Sequence, residues 1–371
     1  MRIGLLGGGQ LGRMFLQVAA NYPYTVKVLD PQVNAPCAHL CDEFVVGDFA
    51  DAETVTVFGA DCDVVGIEIE HVSVEGLRRL EKQGVRVVPS PDVLEIIQDK
   101  GLQKQFYQQH GIATAPFSLA ETAADIQIAP PFVQKTRKGG YDGKGVQVIR
   151  QSDDMSSLWD VPSVIETLCP IEKEIAAIVA VDANGQQKLY PLVEMVFDEA
   201  LNLVDVVQMP VQLSDEIIAE AERLALKVAT AFGKEGLYAV EMFVTQSGEV
   251  WVNETACRVH NSGHLTIEAC VCSQFEQMWR ILAQQPLGET TALSSAAMLN
   301  LVGGKRQQGE ARLSHLDDLL RQPRVYVHWY GKNEVRPGRK MGHVTLTAEQ
   351  STALPTMIQS IKPFLSVEAK S

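Results

Sequence analysis

The stretch from Gly236 to Glu254 constrains the fold more than any other part of the chain. It spells strand, turn, strand: Leu-Tyr-Ala-Val-Glu-Met-Phe-Val, then Thr-Gln-Ser-Gly, then Glu-Val-Trp-Val-Asn-Glu. A two-residue turn at Ser247-Gly248 would pair Gln246 with Glu249, and counting back along that ladder sets Glu241 opposite Glu254. Directly opposed side chains lie about 5 Å apart at their β-carbons. Two carboxylates at that spacing repel by about 3 kcal/mol at an effective dielectric near 20. A purely structural hairpin gains nothing from this. A hairpin that holds a magnesium ion needs it, because hard cations take oxygen ligands and commonly bridge to phosphate. The competing reading is a pair of acids on a solvated strand face. Val240, Met242, Trp251 and Val252 make both strands largely apolar and weigh against it, and Asn253 adds a neutral oxygen ligand. Residues 255–264 follow at once, with Arg258, His260, Asn261, Ser262 and His264 packed into seven positions. A core strand does not tolerate that density of polar groups; a loop lining a polar substrate pocket does.

The 371 residues suggest two or three domains. The first hundred alternate strand and helix: strands at Arg2–Leu6, Thr25–Leu29, Val64–Ile69 and Val85–Val88, helices from about Gln10 and at Val74–Gln83. This alternation implies a parallel sheet with crossover helices. Helical residues 91–110 form a link. Short strands at Phe132–Lys135 and Val146–Arg150 surround a glycine-rich loop, and Val164–Leu168 runs into Glu172–Val181. Ser214–Phe232 is the clearest helix, with Ile217, Ile218, Ala221, Leu224, Ala225, Val228 and Phe232 in one stripe. Ser214 is its expected N-cap and Gly233 its stop. A smaller strand-rich region begins at about 295. The expected division is 1–100, 101–183 and 184–371.

The formal net charge of −14 argues against nucleic-acid binding. No apolar run reaches membrane-spanning length, and the glycine-rich start is not a signal peptide, so the expected compartment is the cytoplasm. Seven cysteines without a Cys-x-x-Cys pair suggest neither disulfides nor zinc.

Four further segments carry chemistry. Gly7-Gly8-Gly9-Gln10-Leu11-Gly12 lies between strand and helix, with Asp30 ending the next strand. This is the dinucleotide fingerprint, and three readings stay open: nicotinamide binding with Asp30 on a ribose, phosphate contact alone, or tight packing. Lys135 to Gly145 is a strand end, a glycine-rich turn and a strand start, which can fold over the phosphates of ATP; its competitor is a mobile surface hairpin. Glu166 to Cys169 with Glu174 suits a nucleotide pocket or an edge strand with two exposed acids. Lys332 to His343 is a basic turn suited to a phosphomonoester or to solvent. Glu68 and Glu70 end a parallel strand, where open sheets bind ligands. One of them should face the cleft, and one could serve only as a helix-start group.

Together these segments resemble the ATP-grasp superfamily and, within it, the 5-(carboxyamino)imidazole ribonucleotide synthases of purine biosynthesis. The likeness rests on Gly-Gly-Gly-Gln-Leu-Gly-Arg-Met at 7–14, Gly-Tyr-Asp-Gly-Lys-Gly at 140–145, Val-Asn-Glu at 252–254, His-Asn-Ser-Gly-His at 260–264, Thr-Ile-Glu-Ala-Cys at 266–270 and Arg-Pro-Gly-Arg-Lys-Met-Gly-His at 336–343. It spans nearly the whole chain. It implies an α/β and α+β fold with a Rossmann-like N-terminal domain, a lid and a C-terminal lobe that clasp ATP. The implied reaction joins bicarbonate to 5-aminoimidazole ribonucleotide while ATP becomes ADP and phosphate. Bicarbonate attacks the γ-phosphate to give carboxyphosphate, and the amine captures the carbon as released carbon dioxide.

By position, the resemblance places ATP against Lys100, Lys135, Gly140, Tyr141, Asp142, Gly143, Lys144, Gly145, Val146, Glu166, Thr167, Leu168, Cys169, Glu174, Asn253 and Glu254. Glu241 and Glu254 would hold magnesium, or manganese in its place. Gln10, Leu11, Glu70, Tyr141, Arg258, His260, Asn261 and Ser262 would line the substrate pocket, with Lys332, Arg339 and Lys340 near the ribonucleotide phosphate. Arg258 would stabilise carboxyphosphate, and His260 or Asp142 would handle the amine proton. A homodimer joined through the N-terminal domain is expected. Cys257 and Val259 replace prolines common beside the arginine, and Met195 and Phe197 stand where relatives carry Asn-x-His. The competing functions are a formate-dependent glycinamide ribonucleotide transformylase, an NAD-dependent oxidoreductase and a silent nucleotide-binding regulator.

Overall fold

The computed structural model describes residues 1–140, 145–198, 203–304 and 307–370. Four sheets are present among them. The first is parallel, in the order Glu43–Val46, Thr25–Asp30, Arg2–Leu6, Val64–Ile67, Arg86–Val88. Its central strands are apolar on both faces because helices cover both, as the alternation predicts. Serine side chains start two of those helices: Ser73 accepts from Gly76 N, and Ser90 accepts from Val93 N with Pro91 in the first turn. Two elements escape the sequence reading, the half-exposed edge strand Glu43–Val46 and the helix Ala52–Gly59.

The link consists of two helices, Pro91–Ile97 and Lys100–Gln109. Asp99 separates them and accepts from the amides of Gly101 and Leu102 at the start of the second. A four-stranded antiparallel sheet follows, in the order Phe117–Ala120, Ser163–Thr167, Phe132–Thr136, Val146–Ile149. Strand Ile171–Val181 lies within the expected lid range 101–183, yet it pairs in the large sheet, between Gly236–Thr245 and Val193–Asp198. Helix Asp215–Phe232 packs its apolar stripe on that sheet and ends at Gly233, whose φ of 59° is left-handed. Ser214 holds the N-cap position without making a side-chain cap bond. The large sheet continues through Ser295–Val302 and Lys340–Ala348 into the C-terminal core.

The parallel-sheet domain is fastened to the large sheet through helix Gln274–Leu282. Trp279 stacks on Tyr22 with ring centroids 3.5 Å apart. Arg86 Nη2 donates to the helix-end carbonyls of Ile281 and Leu282 at 2.8 and 2.7 Å. A cation on these acceptors also favours the helix dipole. Arg86→Ala should therefore cost about 2 kcal/mol in urea denaturation. An unchanged midpoint would show that the two bonds contribute nothing net. No helix among the described residues is long and apolar enough to cross a membrane.

Candidate active site

Glu241 does face Glu254, but the hairpin reaches that pairing by another route. The turn holds three residues, 246–248, not two. Thr245 pairs with Glu249, and Gly248 takes φ 84°. Gln246 N donates to Pro170 O instead of pairing with Glu249. The ladder then runs Val244↔Val250, Phe243↔Trp251, Met242↔Val252 before a β-bulge, and resumes at Glu241↔Glu254. Asn253 is the extra residue. Val250 and Val252 point into the core, Asn253 and Glu254 both turn outward, and Thr255 is buried again. Without the bulge, Glu254 would share the face of Val252. With it, two consecutive residues present oxygen ligands on the side occupied by Glu241 and Glu174.

This face is acidic. Burial, then the charges of Glu254 and Glu174, push Glu241 up to about 8. Lys100 contacts Glu254 directly and holds it low, at about 2. Burial raises Glu174 to about 7, against the pull of Lys135. No group of three or more His, Cys, Asp or Glu side chains among the described residues could hold a metal by itself. The two opposed glutamates are hard oxygen donors and fit a divalent ion whose other ligands come from bound phosphate.

Lys135 reaches this face from the small sheet. Its Nζ donates to Asn253 Oδ1 at 2.8 Å and pairs with Glu166 at 2.9 Å. Glu166 is 3% exposed and also pairs with Lys104 at 2.9 Å. Burial pushes Glu166 up, but the two lysines outweigh it and hold it below the usual carboxylate range. Glu166 therefore anchors Lys135, and its carboxylate is too enclosed to take ribose hydroxyls. Lys104 lies one helical turn beyond Lys100, and the sequence reading misses it. Glu166→Gln should cost about 3 kcal/mol, because it strands two buried cations. A carboxylate with a depressed folded pKa stabilises above its unfolded pKa and loses that contribution as pH falls through the folded value. The variant should thus show a flatter acid limb in a stability–pH series, and parallel wild-type and variant curves would refute the assignment. Thr167 ends the strand that carries Glu166, and Leu168 and Cys169 lead on toward the strand that carries Glu174. Beside the glycine-rich loop, Arg137 clasps Asp99 with two bonds of 2.9 Å. Gly140, Gly145 and Val146 flank that loop; Tyr141, Asp142, Gly143 and Lys144 lie outside the described residues.

The polar loop packs by alternation. Cys257 and Val259 are buried, while Arg258 and His260 turn toward the acids. Arg258 Nε lies 3.3 Å from Glu70. His260 Nδ1 lies 2.9 Å from Ser262 Oγ, and its Nε2 lies 3.3 Å from Glu241. Asn261 commits its amide to a reciprocal pair with Asn300, at 3.0 and 3.1 Å, so it braces the loop more than it lines the pocket. Fully buried Gln274 accepts from His260 N and donates to His260 O, at 2.8 and 2.7 Å. Nothing in the sequence marks Gln274 or Asn300, whose contacts span 14 and 39 residues.

The helix-start amides of the glycine-rich motif at 7–12 are engaged within the chain. Glu68 accepts from the amides of Gly9, Leu11 and Gly12, all at 3.0 Å, and fills the anion position from within. Asp30 accepts from Gly8 N and Gln32 N. These bonds favour the tight-packing reading of the motif, with both Asp30 oxygens committed to backbone amides. Leu11 is buried with its amide engaged, which corrects its expected place in the pocket. Gln10 Oε1 instead accepts from Lys332 Nζ at 2.5 Å, and Lys332 also donates to Lys340 O at 2.7 Å. Arg339 Nη1 donates to Glu334 O at 2.7 Å. Gln10, Lys332 and the Lys340 carbonyl therefore meet, whereas the Arg339 guanidinium is engaged within its own turn.

Models of three domain families match the chain in order. They are a ribonucleotide synthetase preATP-grasp domain at 1–98, an ATP-grasp domain at 105–275 and a phosphoribosylaminoimidazole carboxylase C-terminal domain at 296–356. The crystal structure of N5-carboxyaminoimidazole ribonucleotide synthetase from Thermotoga maritima superposes with a TM-score of 0.92. It is 37% identical, and the match covers 100% of this chain and 99% of that one. The chain belongs to the N5-carboxyaminoimidazole ribonucleotide synthase family. A second member of that family, the Aspergillus clavatus synthase in complex with ADP and 5-aminoimidazole ribonucleotide, is 32% identical with a TM-score of 0.89, over 98% of each chain. The phosphoribosylaminoimidazole carboxylase of Ogataea methanolica is 35% identical over 94% of this chain, which spans 67% of that longer protein. The architecture is thus an ATP-grasp fold behind a preATP-grasp domain. Met195 is buried in the core and Phe197 packs against it, so no imidazole enters the site from these positions.

Proposed function

We propose that this protein carboxylates 5-aminoimidazole ribonucleotide with bicarbonate, converting ATP to ADP and phosphate. The observation that carries the reading is the bulged hairpin, which sets two glutamates and an asparagine beside Lys135. A magnesium or manganese ion held by Glu241 and Glu254 would neutralise charge on the transferring phosphoryl group. Lys135, fixed by Glu166 and Asn253, would bind phosphate oxygens as a point charge, with Lys100 released from Glu254 to assist. Glu174 and the main chain of residues 166–169 would hold the nucleoside. Arg258 would steady the carboxyphosphate formed when a bicarbonate oxygen displaces ADP. The ribonucleotide amine would take the carbon as phosphate leaves, and His260 would receive the amine proton. Lys332, Arg339 and Lys340 would hold the ribonucleotide phosphate.

The seven unpaired cysteines support a reducing, cytoplasmic setting. Val33, Val46 and Val57 are more than half exposed on the N-terminal domain and support a homodimer through that face; light scattering on the purified protein tests it. ADP release should require both bicarbonate and the ribonucleotide. Turnover with formate and glycinamide ribonucleotide instead would replace this assignment with the transformylase.

A further inference from the structure

Arg13 has no part in the functional reading above, yet its surroundings are those of a ligand-binding cation. It lies one helical turn after Gln10, so the two side chains share a face of helix Gln10–Ala19. That face meets the turn after strand Val325–Trp329. Gln10 takes the Lys332 ammonium at 2.5 Å, and Arg13 lies against Gly331. A β-carbon at Gly331 would sit 2.8 Å from Arg13 Nη1, and φ there is 75°, so the backbone turns to leave the guanidinium room. Among the described residues, Arg13 has no carboxylate within ion-pair distance. Its single hydrogen bond is a 3.4 Å contact from Nη1 to Pro36 O, and its buried Nε has no partner. Lys332 follows Gly331 directly and is held by Gln10, so a second positive charge lies close by. A half-buried guanidinium with five donors and one weak acceptor is unfavourable by itself. In a chain of net charge −14, acidic partners were available.

We propose that Arg13 is a substrate-binding residue that completes the site for the phosphomonoester of the ribonucleotide. Its planar fork supplies paired donors, whereas Lys332 supplies a point charge. Gln10 aims that lysine, and Gly331 keeps the fork clear. The inference rests on the functional reading above and extends it to a residue that reading leaves out.

The test compares wild type with Arg13→Met and Arg13→Lys on two substrates, 5-aminoimidazole ribonucleotide and the riboside that lacks the phosphate. Arg13→Met should raise KM for the ribonucleotide about 10- to 100-fold. KM for ATP, KM for the riboside and the melting temperature should stay close to wild type. Arg13→Lys should recover part of the loss. Inorganic phosphate should compete with the ribonucleotide in wild type and lose potency in Arg13→Met. Equal factors on ribonucleotide and riboside, or a fall in melting temperature with KM unchanged, would make Arg13 a structural staple and overturn the proposal. Wild-type enzyme without ribonucleotide-dependent ADP release would instead sink the functional reading itself.

Discussion

Glu254→Gln should lower kcat/KM for ATP by at least about 1,000-fold, with stability changed by no more than about 1 kcal/mol. The carboxylate is the outward member of the bulged pair and contacts Lys100. The amide keeps the shape and removes the charge that a phosphate-bridging ion needs. Glu241→Gln should be equally inactive, yet more stable than wild type by about 1–2 kcal/mol, because it ends the cost of burying an acid and of placing it beside Glu254 and Glu174. A gain in stability coupled to loss of turnover is the signature of a site that works against the fold. Retained activity in either variant would remove the pair from the reaction. Asn253→Ala offers a graded comparison. It keeps the bulge and takes one anchor from Lys135, so a smaller loss, on the order of 10-fold, is expected.

Glu68→Leu should cost about 4 kcal/mol or more, the largest single loss of stability expected here outside the hydrophobic core. Three amides at the start of helix Gln10–Ala19 lose their acceptor together, in a place closed to water. Burial raises the Glu68 pKa, and the amides of Gly12 and Gly9 oppose that rise. The variant vacates an anion position at a helix N-terminus. Millimolar sulfate or phosphate should therefore raise the melting temperature of the variant and leave wild type unmoved. A variant as stable as wild type, and indifferent to sulfate, would show that Glu68 merely lies beside these amides.

The hairpin acids were legible because strand pairing is local, but two irregularities had to cancel. The turn takes one residue more than expected and the bulge at Asn253 takes another, which restores Glu241 opposite Glu254. Neither the three-residue turn nor the bulge has a sequence mark that outweighs Ser247-Gly248. The helix at 215–232 was legible from its stripe and its glycine stop, and the parallel sheet from alternation. The glycine-rich motif at 7–12 shows where such reading ends. Its spacing describes a helix start with exposed amides, whereas the group that satisfies them comes from Glu68, more than fifty residues away. Lys104, Gln274 and Asn300 stayed hidden for the same reason. Each is an ordinary polar residue until the fold encloses it beside Glu166, His260 or Asn261.

The contact between Lys100 and Glu254 has a consequence for how such a protein is made. The ammonium gives the more acidic glutamate a companion inside the chain before any ion arrives, so assembly does not wait for a mineral supply. A chelator should silence the molecule and leave it intact. Restoring the salt should revive it at once, with no refolding to perform.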